Sequence, residues 1–215
     1  MFRIHDFILS PFGRKLRLAL AEKHLAFAMV PVRPWDVSVP IEELTRLELP
    51  DGTVMTDVGA CAEYIDEIQP EPRLMPASPL ARAQARRWSN WLDGPMWRSV
   101  TAIVLSERVL ARHGGMGTGG PEALKASLTV LRTCLAQVEQ QVEREGSLVD
   151  ATTIADLSLA AHLSCLDYFG DVPWQTLPAT REWYARIKSR PSFRPLLNET
   201  LPGFVPVAHY GDLDF

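Results

Sequence analysis

Residues 7–25 read FILSPFGRKLRLALAEKHL, and the division of this stretch decides the fold. A short apolar run meets Ser10-Pro11. Serine suits the N-cap of a helix, and proline suits the first helical position, where a missing N–H costs nothing. Leu16, Ala19, Leu20 and Lys23 then recur at helical spacing. Arg14, Lys15 and Arg17 occupy much of the remaining circumference, which predicts a basic outer surface. On either side, FRIHDFI (2–8) and AFAMVPV (26–32) are short, β-rich and bounded by breakers, as strands are. Strand, helix and strand at this spacing make a βαβ unit with a parallel pair.

Leu47–Leu49 and Thr53–Thr56, joined by Pro-Asp-Gly, read as a hairpin, and 57–68 as a second amphipathic helix. Pro70, Pro72, Pro76 and Pro79 then punctuate the chain and place a linker at 73–79, after a first domain over 1–72. Everything beyond is helical in period. Residues 80–111 form one stretch with a kink or break expected at Gly94-Pro95. HGGMGTGG (113–120) is a flexible connection, not a phosphate loop, since no Gly-Lys-Ser/Thr follows. A long helix runs from Pro121 towards Gly146, its stripe made by Leu124, Leu128, Leu131, Leu135, Val138 and Val142. Residues 154–167 are apolar nearly all round, as a central buried helix would be. Residues 180–190 form another helix, and Pro191 restarts the chain into a short last one. The second, all-α domain is placed at 80–202 and a tail at 203–215.

The chain has 215 residues, 47% hydrophobic and 22% charged, with a formal charge of −4. That balance gives no reason to expect nucleic-acid binding. No run is long enough for membrane insertion, and no secretory pattern opens the chain. Cys61, Cys134 and Cys165 lie far apart in apolar segments, as reduced thiols of a cytoplasmic protein do. No His/Cys/Asp cluster has metal-ligand spacing. His113, beside glycines, reads as solvated, and His162 as a satisfied core histidine. Trp88, Trp91 and Trp97 read as core or subunit-interface packing.

A small α/β domain, a proline-rich linker and an all-α domain resemble the glutathione S-transferase fold, whose first domain is thioredoxin-like. Three motifs carry the resemblance: LMPASPLARAQARRW (74–88), TTIADLSLA (152–160) and WYARIKSRPSFRPLL (183–197). In the second, Thr153 with Asp156 forms a capping box, which satisfies orphan donors where water cannot reach. In such enzymes a Ser, Tyr or Cys at the end of the first strand stabilises or attacks the glutathione sulfur, and Ser10 matches that place. A helix N-terminus favours a thiolate there.

The rest of the glutathione site departs from the pattern. The family's acidic residue and serine before the second helix become Asp57-Val58. The lost hydroxyl removes a charged hydrogen bond worth about 1.5–3 kcal/mol, roughly tenfold to over a hundredfold in affinity. The family's Val-Pro pair before the third strand, whose cis proline lets the backbone pair with glutathione, is absent. The crossover also reads as short by roughly a dozen residues between Glu43 and Leu47: either the protein lacks that loop or a segment is missing there, and a missing segment is the expectation. Ser10 therefore reads first as the helix cap and a remnant of the fold. A catalytic Ser10, in a glutathione transferase or glutathione-dependent reductase, is the alternative.

Two features lie outside the enzyme pattern. VRPWDVSVP (32–40) puts Trp35 between Arg33 and Asp36 at the edge of the would-be cleft, a common type of interface anchor. GFVPVAHYGDLDF (203–215) is an aromatic and acidic tail suited to docking, on the chain's own helices or on a partner. Tyr210, Asp212, Asp214 and Phe215 are its candidate contacts. With PVRPWD and LPGFVPVAHYGDLDF, the chain resembles an alphaproteobacterial cell-division branch of the family. The resemblance implies a cytoplasmic, non-enzymatic homodimer at the division site. It would bind filaments of the tubulin-like GTPase FtsZ, with no cofactor, and its tail would be free to meet a second division protein.

Overall fold

A computed structural model describes every residue except Ser38, 114–118, Asp150, Asp214 and Phe215. Its β1 (Phe2–Asp6) runs parallel to β2 (Phe27–Pro31), with α1 (Pro11–Glu22) between them in sequence. On its other edge β1 pairs antiparallel with β3 (Arg46–Glu48), and β4 (Val54–Met55) completes the order β2-β1-β3-β4. The expected hairpin and βαβ unit are both present.

The crossover from β2 to β3 is complete, which corrects the expectation of a missing segment. Asp6 pairs with Pro31 and His5 with Arg46, so β2 ends at the rim where β3 begins. The chain has only to pass the end of β1, about 10 Å at the usual strand spacing. Residues 32–45 do this with a 3₁₀ turn, Pro34–Asp36, and one helical turn, α2 (Ile41–Leu44). Thr45 stands directly before β3, where the family pattern has its proline. The cis peptide among the described residues is Glu71–Pro72.

After α3 (Val58–Ile68) comes α4 (Pro79–Trp91), capped by Ser78, whose Oγ accepts the Ala81 N–H at 3.1 Å. No break follows at Gly94-Pro95. The helix widens into π-helical turns over Leu92–Thr101, with Pro95 inside, and continues as α5 (Ala102–Arg108). Wider turns accommodate a residue that has no N–H to give. Next come α6 (Gly120–Glu145), ended by Gly146 at φ 75°, and α7 (Ile154–Asp167), with every residue buried. The chain closes with α8 (Pro178–Lys188) and the short α9 (Arg194–Leu197). The fold is a thioredoxin-like sheet unit followed by a mostly helical part. Among the described residues no helix is long and apolar enough to cross a membrane, and no acidic, His and Cys grouping could hold a metal.

The largest departure from the sequence reading concerns α1. Its cations do not form an outer surface: Arg14 and Lys15 are fully buried and Arg17 nearly so. α1 packs on α3 and α7 as well as under the sheet, so every face is internal. Lys15 Nζ donates to Ser89 Oγ (2.7 Å) and Asp93 Oδ2 (2.6 Å). Arg17 pairs with Glu199, and Lys23 with Asp66. Buried charges are tolerable only when so paired.

Thr153 begins α7 as expected. Its Oγ accepts the Ala155 N–H at 3.3 Å, and Asp156 Oδ2 accepts the Thr153 N–H at 2.9 Å. Burial raises the Asp156 pKa, against the opposing hydrogen bonds of Thr153. Replacing the cap with alanine should lower the urea-unfolding free energy by about 1–2 kcal/mol, with Thr153→Ser close to wild type. Equal stability of Thr153→Ala and wild type would show that the box does not hold α7.

Candidate functional site

Ser10 ends the loop after β1 and caps α1: its backbone is extended (φ −75°, ψ 125°), and its Oγ faces the Gly13 N–H at 3.5 Å. It is fully buried. Thr45 Oγ1 donates to Asp6 Oδ1 at 2.6 Å and lies 3.3 Å from Ser10 Oγ. A hydroxyl has one proton. With Thr45's proton committed to the carboxylate, Ser10 is the donor between the two hydroxyls. Both the proton and the lone-pair side of Ser10 thus face internal partners, and no ligand sulfur can reach it in this arrangement.

Behind the trio, Asp6 is fully buried and its Oδ2 has no hydrogen-bond partner among the described residues. Burial pushes its pKa up to about 7, although the Thr45 hydrogen bond and the Arg17 charge oppose the shift. A Cβ built on Gly13 would lie 1.6 Å from Asp6 Oδ2, so the start of α1 passes the carboxyl only because residue 13 is glycine.

Asp57 and Val58 line a separate cleft of about 430 Å³ with Phe12, Asp93, Trp97 and Arg98. Ser10 is not among its lining residues. Asp57 Oδ1 accepts the Ala60 N–H at 2.7 Å and so caps α3. Val58 offers only a hydrocarbon side chain to this cleft, at the place where the resemblance puts a serine. Burial disfavours the charged form of Asp93, but Lys15 and His162 outweigh it and hold its pKa at about 2. His162 is a core histidine, its Nδ1 2.9 Å from Thr101 Oγ1.

Trp35 lies on a different, larger hollow of about 740 Å³, lined by Phe7, Ile8, Val32, His113 and Leu201. It is half-buried, edge-on to Phe7 (6.1 Å between centroids) and stacked on His113 at 3.9 Å with planes 8° apart. His113 is exposed, as expected, with one ring face covered by this stack. Its Nδ1–H donates to the Val109 carbonyl at 3.0 Å. Arg33 and Asp36 are exposed and 4.0 Å apart.

The tail is docked on the chain's own helices as far as it is described. Tyr210 is fully buried, so it is removed from any surface that a partner could touch, contrary to its reading as a contact. Arg14 Nη1 donates to the Tyr210 hydroxyl at 3.0 Å, and that hydroxyl donates to the Leu196 carbonyl at 3.3 Å. His209 Nε2 lies 2.9 Å from the buried Asp167 Oδ1. Asp212 is exposed; Asp214 and Phe215 lie outside the described residues. Sequence reasoning missed Thr45, Asp6 and His113. The one available signal was Asp6 facing a glycine in the first turn of α1.

The glutathione S-transferase N-terminal domain matches residues 4–73. The chain is 38% identical to FtsZ-localized protein A of Caulobacter vibrioides, over 99% of this chain and 97% of that protein. Its structure is similar to that of FzlA from C. crescentus, with a TM-score of 0.91 and 37% identity, over 100% of this chain and 99% of that one. It is equally similar to a glutathione S-transferase from Rhodospirillum rubrum F11, with a TM-score of 0.91, 38% identity and full coverage of both chains.

The raised pKa of Asp6 makes folding proton-linked. The folded protein keeps a proton that the unfolded chain loses above about 3.8, the ordinary value. The group's stabilisation is full below that value and is lost as pH rises to about 7. Asp6→Asn retains an acceptor for Thr45 and removes the titration. Its unfolding free energy should gain on wild type across this window by on the order of 2–4 kcal/mol, then run parallel above it. A constant difference at every pH would mean that Asp6 does not titrate there.

Proposed function

The chain belongs to the glutathione S-transferase superfamily, and from that premise we propose that it is a non-enzymatic cell-division regulator that binds FtsZ filaments. The end-to-end similarity to FtsZ-localized protein A carries this reading. The sealed Ser10 supports it, because the hydroxyl that would orient a thiolate is turned inward.

The working form is a cytoplasmic homodimer at the division site, without a cofactor. Val54, Ile68 and Leu80 on β4, α3 and α4 are exposed apolar side chains suited to a subunit interface. A two-fold dimer presents each patch twice. Two identical patches at a fixed angle cross-link or curve filaments through avidity, even when each contact is weak. Arg33, Trp35 and Asp36 form the proposed filament contact, and Asp212, Asp214 and Phe215 an acidic end for the same filament or a second division protein.

The test is co-sedimentation with FtsZ polymerised in GTP, with thermal-shift wells containing millimolar glutathione alongside. The protein should pellet with polymer and show no glutathione shift. Trp35→Ala should weaken pelleting by about thirtyfold, as loss of an interface anchor does. Removing 212–215, which leaves Tyr210 in place, should weaken it less. A glutathione shift without pelleting, abolished by Ser10→Ala, would return the protein to the enzymes of the family.

A further inference from the structure

The Trp35 loop and the tail are far apart in sequence but joined by rings. His113 stacks on Trp35 at 3.9 Å on one side and on Phe204 at 5.8 Å on the other. Phe204 meets Phe169 edge-on at 6.3 Å, Phe169 meets Tyr168 at 5.2 Å, and Tyr168 meets the buried Tyr210 at 5.2 Å. The row runs without a gap from the β2–α2 loop, past the end of α5, to the C-terminal segment. Two cations flank it: Arg112 lies over Phe204 at 5.1 Å and Arg108 over Phe169 at 5.8 Å. Arg108 is itself anchored to Asp171 by a paired hydrogen bond.

Trp35 sits on a short 3₁₀ turn, Pro34–Asp36, which has no side-chain cap. Its neighbours Arg33 and Asp36 are exposed and, among the described residues, their side chains pair only with each other. The indole rests on the core beneath it, and two rings bracket it, Phe7 on one edge and His113 face to face. We infer that His113 is the positioning residue that holds Trp35 in its binding orientation, and that it joins the Trp35 loop and the Phe204 segment into one partner surface. The inference rests on the filament-binding reading above and names a residue that reading does not contain. A loose indole would have to be ordered on binding, at a cost to affinity that the stack removes in advance.

The test compares His113→Ala, His113→Phe and Phe204→Ala in the full-length protein, with Trp35→Ala as reference. His113→Ala should weaken co-sedimentation with FtsZ polymer by about three- to tenfold, the range of one aromatic stack. His113→Phe keeps a flat ring and should restore binding. Phe204→Ala should resemble His113→Ala. Trp35 emission, taken as the difference between each protein and its Trp35→Phe counterpart, should move to the red in His113→Ala and stay in place in His113→Phe. If Trp35→Ala binds normally, the filament-contact reading fails. If Trp35→Ala weakens binding while His113→Ala binds like wild type with unmoved emission, the positioning role fails and the contact reading stands. Equal loss in His113→Ala and His113→Phe would make the imidazole a direct contact and overturn the positioning role.

Discussion

The guanidinium of Arg14 is the interaction on which the rest of the molecule depends. It is fully buried on α1, in the first unit of the chain, yet all but one of its partners come from the helical part and the tail. Its Nε donates to the Ile8 carbonyl at 3.0 Å, and its Nη1 to Ser164 on α7 at 2.7 Å and to Tyr210 in the tail. Glu199, after α9, lies 3.7 Å away and also pairs with Arg17. A buried guanidinium without partners would cost several kcal/mol. The sheet unit therefore reaches its stable form only with the helical part and the tail in place. Lys15 repeats the logic through Asp93, whereas Lys23 pairs with Asp66 on α3, inside the first unit. Cations that elsewhere keep a helix soluble here fasten the two ends of the chain together.

This explains which parts of the fold were legible in the sequence. Features set by neighbours along the chain could be read directly: the N-caps Ser10 and Thr153, the hairpin after β3, and the left-handed glycine ending α6. The burial of α1 could not. Arg14, Lys15 and Arg17 are spaced around the helix as surface residues usually are, and only Glu199, Tyr210 and Asp93 decide otherwise. The crossover was misjudged for a related reason. Its required length depends on where β3 starts on the sheet, which is a matter of topology rather than of composition. Pro95 signalled a kink or break, and the irregularity it causes takes the form of π-helical turns rather than an end to the helix.

The site was legible in its parts and hidden in its connections. Ser10, Asp57 and Val58 were found as residues, but the sealing of Ser10 depends on Thr45 and Asp6, which no local motif joins. Trp35 was picked out as a candidate, and His113 was read as solvated, which its exposure bears out, but not as the ring stacked on Trp35. In both places the decisive contact is between side chains that are distant in sequence. The fold turns the Ser10 hydroxyl inward and leaves the Trp35 loop half-exposed on stacked rings.

The close approach of Gly13 to Asp6 has a consequence for how this chain can change over time. A methyl group at position 13 would meet a carboxyl oxygen at bonding distance, and the glycine backbone has no room to yield because α1 is packed on every face. Residue 13 is therefore frozen for as long as residue 6 is aspartate. A shorter side chain at position 6 would release it, but would first leave the Thr45 hydroxyl without its acceptor. The order of substitution matters: the glycine cannot drift alone, and any lineage that replaces it must first have passed through a chain with a smaller residue at position 6 of β1.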